Sequence, residues 1–141
     1  LSGTTWAGNI VSRRDLCSYR EESSVLEYKA NIAFGGKNSA DTVILKNEIH
    51  SGRSEGIFII QGGFSYIFEN KIYDNNDGIV MFNSSPNVFG NEIRDNQRSG
   101  IIACGISFPK VERNEIHGNL QTGIMVRDKS EPFLMKNKIH E

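Results

Sequence analysis

The triplet Asn-x-Ile occurs five times, at 47–49, 70–72, 91–93, 114–116 and 137–139, with intervals of 23, 21, 23 and 23 residues. Further marks keep register with it. Gly-Ile follows the first four triplets, at 56–57, 78–79, 100–101 and 123–124. An aliphatic residue stands three before each Asn (Ile44, Ile67, Val88, Val111, Leu134), and a small residue or proline stands five before it (Thr42, Ser65, Pro86, Pro109, Pro132). A fixed period of this length marks a repeat architecture, in which a unit buries its apolar face only against its neighbours.

The period inside one unit decides what the unit is. Ile57/Ile59, Ile79/Met81, Ile101/Ala103 and Ile124/Val126 are i, i+2 pairs, the spacing of a strand face. Short segments alternate with clusters of Gly, Asn, Ser, Asp and Pro, so each strand is brief. No 10-residue stretch carries a 3.6 period, which excludes the helical and leucine-rich solenoids. The expected fold is all-β, a parallel β-helix with about 22–23 residues and three short strands per coil, stacked ~4.8 Å apart.

Side-chain roles follow. The aliphatic columns point inward. Asn47, Asn70, Asn91, Asn114 and Asn137 form an amide ladder at a corner, where Asn is expected to supply the left-handed backbone of the bend and to bond its own turn. Gly52, Asn75, Asn96 and Asn119 serve the following bend.

Composition narrows the function. A formal charge of −1 and a pI near 6.4 supply no basic surface, so no nucleic-acid partner is expected. No apolar run approaches the ~18 residues of a membrane span, and no signal peptide is visible. Cys17 and Cys104 form neither a disulfide framework nor a CxxC, which fits a reducing compartment and leads us to expect a cytoplasmic protein.

The pattern Pro-x-aliphatic-x-x-Asn-x-Ile, then Asn or Gly, then Gly-Ile-x-aliphatic, resembles the right-handed parallel β-helix repeat of the pectate-lyase-like superfamily. The stretch SSPNVFGNEIRDNQRSGIIA is most similar to the repeats of the F-box β-helix proteins. The resemblance covers 31–141 and implies a solenoid there, expected to be truncated because the sequence stops at NKIHE, part-way through a repeat. Residues 1–30 read as a degenerate coil, cap or extension, with GNIV at 8–11 and VLEYKANIAF at 25–34 as degenerate coils or an N-terminal cap. For function, the resemblance implies a non-catalytic scaffold or protein-recognition module in a larger intracellular assembly. Substrate recognition for a ubiquitin ligase and a cytoskeletal or ciliary component are the two forms it takes. The alternative within the superfamily is a carbohydrate-active enzyme or sugar-binding module.

The candidate site residues fall into outward columns. His50, His117 and His140 share one outward column, but His50 lies about three coils from His117, ~14 Å away, so the trio cannot ligate one metal. Glu48, Lys71, Glu92, Glu115 and Lys138 share another, read as alternating ion-pair rungs rather than a catalytic acid pair. Asn83, Ser84 and Ser85 form a sequon read as turn chemistry, and the Gly-rich FGGKNSAD at 34–41 lacks the ending of a phosphate loop. The Gly-Ile strands carry two outward columns, Phe58, Val80, Ile102, Met125 and Ile60, Phe82, Cys104, Arg127. Superfamily enzymes place acids, Lys or Arg on this face; here it is apolar. We therefore expect no catalytic residue, no metal and no cofactor. The expected role of this face is contact with other proteins or with another segment of the same protein.

Overall fold

The computed structural model describes residues 5–8, 10–11, 19–21, 24–28, 30–36, 42–61 and 64–141. All regular structure among them is β. Three parallel sheets run the length of a solenoid, each contributing one strand per coil. The first sheet stacks Thr5–Ala7, Val43–Leu45, Tyr66–Phe68, Asn87–Phe89, Lys110–Glu112 and Phe133–Met135. The second stacks Ile10–Val11, Glu48–His50, Lys71–Tyr73, Glu92–Arg94, Glu115–His117 and Lys138–His140. The third stacks Ile32–Gly35, Glu55–Ile60, Asp77–Phe82, Ser99–Cys104 and Thr122–Val126.

Register follows the repeat. Ile44 pairs with Ile67, Ile49 with Ile72 and Ile57 with Ile79, and the same columns continue coil by coil. The inward aliphatic columns merge into one core along the axis, closed to solvent except in the last coil, where Ile139 is 52% exposed. Fully burying each such side chain contributes ~1.5–3 kcal/mol.

Both Asn columns become hydrogen-bonded ladders. In the first, the backbone N–H of Asn47, Asn70, Asn91 and Asn114 donates to Oδ1 of the next Asn, at 2.9–3.0 Å. Each of these Asn side chains donates to the same oxygen. In the second, Gly52, Asn75 and Asn96 donate in the same way to Asn75, Asn96 and Asn119. The left-handed residue, however, is not the Asn. Positive φ falls on the residue before it, at Lys46, Glu69, Gly90, Arg113 and Lys136 for the first ladder and at Ser51, Asp74, Asp95 and Gly118 for the second. The cause is a division of labour. The Asn side chains of the first ladder must point into the coil to stack, and four of them are almost fully buried, while the bend is made by a neighbour facing solvent.

Half of residues 1–30 lie outside the described residues, among them Cys17, as does most of FGGKNSAD. Ile10–Val11, within GNIV, joins the second sheet and Ile32–Gly35, which begins in VLEYKANIAF, joins the third, while Ser24–Tyr28 pairs antiparallel with Tyr19–Glu21. Asn31 then opens the third sheet. Its Nδ2 reaches His50 O at 2.9 Å and Asn75 Oδ1 at 3.1 Å, bridging past Gly52, which has no side chain for the ladder. A Cβ at Gly52 would lie 2.8 Å from both the Asn31 and Asn75 amide oxygens, so this bridge depends on the glycine.

Candidate functional site

The two outward columns of the third sheet pair in the expected register, Phe58 beside Val80 beside Ile102 beside Met125, and Ile60 beside Phe82 beside Cys104. All stand outside the core cluster, and Arg127 follows at the exposed end. Exposure is uneven across this face: Val80 and Ile102 are only 8% and 7% exposed, whereas Phe82, between Ile60 and Cys104, is 36% exposed. Phe58, Ile60, Cys104 and Met125 are half-buried. Cys104 Sγ donates to Met81 O at 3.4 Å, and burial pushes its thiol pKa up, with Asp128 adding to the effect. At the start of the middle strand of the same sheet Asp77 is buried. It accepts from the Ser99 N–H at 3.0 Å and pairs with Arg98 at 3.7 Å.

A second apolar feature lies on the first sheet. Its strands are three residues long with the middle one inward, so the flanking two point out. One outward column is Leu45, Phe68, Phe89, Glu112 and Met135; the other is Val43, Tyr66, Asn87, Lys110 and Phe133. Leu45, Phe68 and Phe89 form the apolar part of a groove of about 440 Å³, bounded by Glu69, Asn87, Lys110 and Glu112. Phe68 and Phe89 meet edge to face, 5.9 Å between centroids at 84°, and Arg113 sits 5.9 Å from the Phe89 ring. Of the left-handed corner column, Glu69 lines the groove. The repeat held the signal for this groove. Residues one before and one after each inward aliphatic at Ile44, Ile67 and Val88 face out, and they are rich in Tyr, Phe and Leu.

The second sheet carries the histidines. His50 stacks on Tyr73 at 4.9 Å, Arg94 covers the other face of Tyr73 at 4.2 Å, and His117 stacks on His140 at 5.0 Å. Vertical Glu–Lys rungs are not the rule. Lys138 does reach Glu115 at 3.6 Å, but Glu48 accepts from the Tyr73 hydroxyl, and Glu92 meets Arg94 at 3.3 Å and His117 at 3.5 Å. Tyr73, Arg94 and His117, in the column two residues on, supply the donors that these acids meet. The consequences are electrostatic. The Glu48 hydrogen bond holds the Tyr73 pKa up, the Asp95 hydrogen bond holds Arg94 up, and the His140 hydrogen bond, helped by Lys138, holds Glu115 down. Among the described residues no group of three His, Cys, Asp or Glu is placed to hold a metal ion, and no helix is long and apolar enough to cross a membrane.

Comparison with known proteins agrees with the geometry at the level of fold. A family model described as a right-handed beta helix region matches residues 21–141, and the chain belongs to that family. No curated protein matches it. Among solved structures it is similar to the periplasmic alginate epimerase AlgG, with a TM-score of 0.68, 16% identity and 94% of this chain covered. A point mutant of that enzyme gives 0.62 at the same identity. The chain spans 36% of the epimerase's length. At this identity the likeness is one of fold.

Proposed function

From membership of the right-handed β-helix family, we propose that this chain is a non-catalytic recognition module that holds an extended segment of a partner protein in the groove of the first sheet. The observation that carries the reading is that groove: an apolar floor of Leu45, Phe68 and Phe89 framed by charged side chains. Apolar concavities with a few placed polar groups are where ligands bind. The carboxylates around it support binding over acid–base chemistry. Glu69 pairs with Lys46 at 3.6 Å, and Glu112 with Lys110 at 3.7 Å and Arg113 at 3.9 Å. Paired acids of this kind are poor general acids or bases. F-box-type substrate recognition and a cytoskeletal or ciliary scaffold are both compatible with such a module in the cytoplasm.

A second reading, action on or binding of an acidic polysaccharide, is favoured by the likeness to an alginate epimerase. One experiment separates the two. The protein is screened against a random peptide display library and a glycan array, each in parallel with Phe68→Ser. Peptide binders lost in the variant support the module. Glycan binding or turnover in place of peptide binding overturns it.

A further inference from the structure

We propose that the antiparallel hairpin of Tyr19–Glu21 and Ser24–Tyr28 packs face-on against the outward side of the third sheet, so that this apolar face is an interface within the chain. The inference is independent of the groove on the first sheet.

The hairpin leaves the solenoid at one corner. In the first coil Val11 pairs with Ile49, 38 residues on, whereas Ile32 pairs with Ile57, only 25 on. The corner between the second and third sheets therefore holds 13 residues more here than in the next coil. The following corner holds only two more, because Val43 pairs with Tyr66, 23 on. The long corner thus opens directly beside the third sheet, before Ile32–Gly35. The hairpin strands form a sheet of their own and pair with none of the three solenoid sheets. A lone two-stranded hairpin is marginal in water and needs an apolar surface to pack on. Residues 12–30 include Leu16, Tyr19, Val25, Leu26 and Tyr28, apolar material for such a contact.

Two sheets flank that corner, and burial distinguishes them. On the third, Ala33, Val80 and Ile102 point outward yet are only 7%, 8% and 7% exposed. Ala33 lies on the edge strand of the sheet, with a neighbouring strand on one side only. On the second sheet every described outward residue is half-buried or exposed. Column neighbours alone do not account for the difference. On the first sheet Phe68 stands between Leu45 and Phe89 and is still half-buried. Ala33, Val80 and Ile102 therefore need a cover from outside the coil wall.

The dimensions agree. The strands of Ala33 and Ile102 are three steps apart in the third sheet, ~14 Å. A five-residue strand such as Ser24–Tyr28 spans ~16 Å. A hairpin laid along the solenoid axis reaches from Ala33 to Ile102 and stops short of Met125, which is half-buried. The second outward column lies two residues farther from the corner, and there Phe82 is 36% exposed.

The first test uses the full chain. A nitroxide is attached at Phe82→Cys or, on the second sheet of the same coil, at Lys71→Cys, each with Cys17→Ser and Cys104→Ser. Amide NMR signals of residues 19–28 should broaden severalfold with the Phe82 label and stay near the parent's with the Lys71 label. Broadening by neither label, or more by the Lys71 label, overturns the proposal. In a second test residues 13–29 are replaced by Ser-Gly-Arg-Ser, the sequence of the corresponding corner at 51–54. Iodoacetamide labelling of Ile102→Cys, with Cys104→Ser and no Cys17, should run about tenfold or more faster in the shortened protein than in the full chain. Equal rates in the two folded proteins also overturn the proposal. If the shortened protein does not unfold cooperatively in urea, the spin-label comparison decides.

Discussion

Asn91 Oδ1 accepts two hydrogen bonds from Asn70, from its backbone N–H and from its side-chain Nδ2, both at 2.9 Å, while Asn91 Nδ2 donates to Ile67 O at 2.8 Å. One amide thus ties its corner to the coil before at three points. Asn91→Ala leaves the buried Asn70 N–H without its acceptor and should destabilise by on the order of 2–4 kcal/mol in urea unfolding. Asn91→Asp should be worse at neutral pH, because the introduced carboxylate is desolvated and faces Asn114 Oδ1 with no donor of its own. Desolvation raises the folded pKa of that carboxyl above its unfolded value. The gap between the two variants should therefore narrow as pH falls through that raised pKa. Equal stabilities at all pH values would show that the ladder amide does not matter as a donor.

Ile93 and Ile139 occupy the same inward column, yet Ile93 is fully buried and Ile139 is 52% exposed. Ile93→Ala should cost about 2–5 kcal/mol through lost burial and a cavity, and Ile139→Ala under about 1. Similar urea midpoints for both would mean that the repeat does not act as a continuous core.

The repeat made the coils, inward columns and ladders legible, because each depends on a residue type recurring at a fixed interval. Ile57, Ile79 and Ile101 could be placed in the core from spacing alone, and they are buried there. What was not legible depends on several coils at once. The groove needs Leu45, Phe68 and Phe89 at one position of successive coils, and no single repeat shows that. The limited exposure of Val80 and Ile102 is likewise a property of what surrounds them, which periodicity does not report. The left-handed corner was assigned to Asn by its intrinsic preference, but the ladder claims the Asn and displaces the strain onto its neighbour.

Gly78 and Gly90 should respond oppositely to a methyl group. At Gly78 a Cβ would run into Gly100 O and lie 2.7 Å from Ile93 Cγ2, with backbone and packed core on both sides. At Gly90 its nearest neighbour is Glu69 Cγ at 3.7 Å, and the cost is that of a left-handed backbone, which Glu69 and Arg113 already bear at the same corner. Gly78→Ala should lose several kcal/mol or fail to fold, and Gly90→Ala about 1 kcal/mol. Thermal unfolding followed by β-sheet circular dichroism decides it.

Cys104 should be a slow nucleophile in the native protein. Burial raises its pKa from the ordinary 9.0, and its hydrogen is committed to Met81 O. Because the thiolate is the reactive form, iodoacetamide labelling at pH ~8 should run about tenfold or more below that in urea. Mass spectrometry of the peptide containing Cys104 reads this site independently of Cys17. Equal rates in both conditions would mean an open, unperturbed thiol.

Glu115 predicts an acid-side dependence of stability. Its pKa is lowered from the ordinary 4.5, first by the hydrogen bond from His140 and then by Lys138. A depressed carboxyl pKa means that the unfolded chain binds the proton first. Its stabilisation is therefore present above about pH 4.5 and is lost as pH falls through the lowered folded value. The group is exposed, so the effect should be small and screened by salt. Glu115→Gln should lower the Tm at pH 6, with the difference from the parent vanishing in strong acid and shrinking in concentrated sodium chloride. A difference that persists in strong acid would place the effect in packing rather than charge.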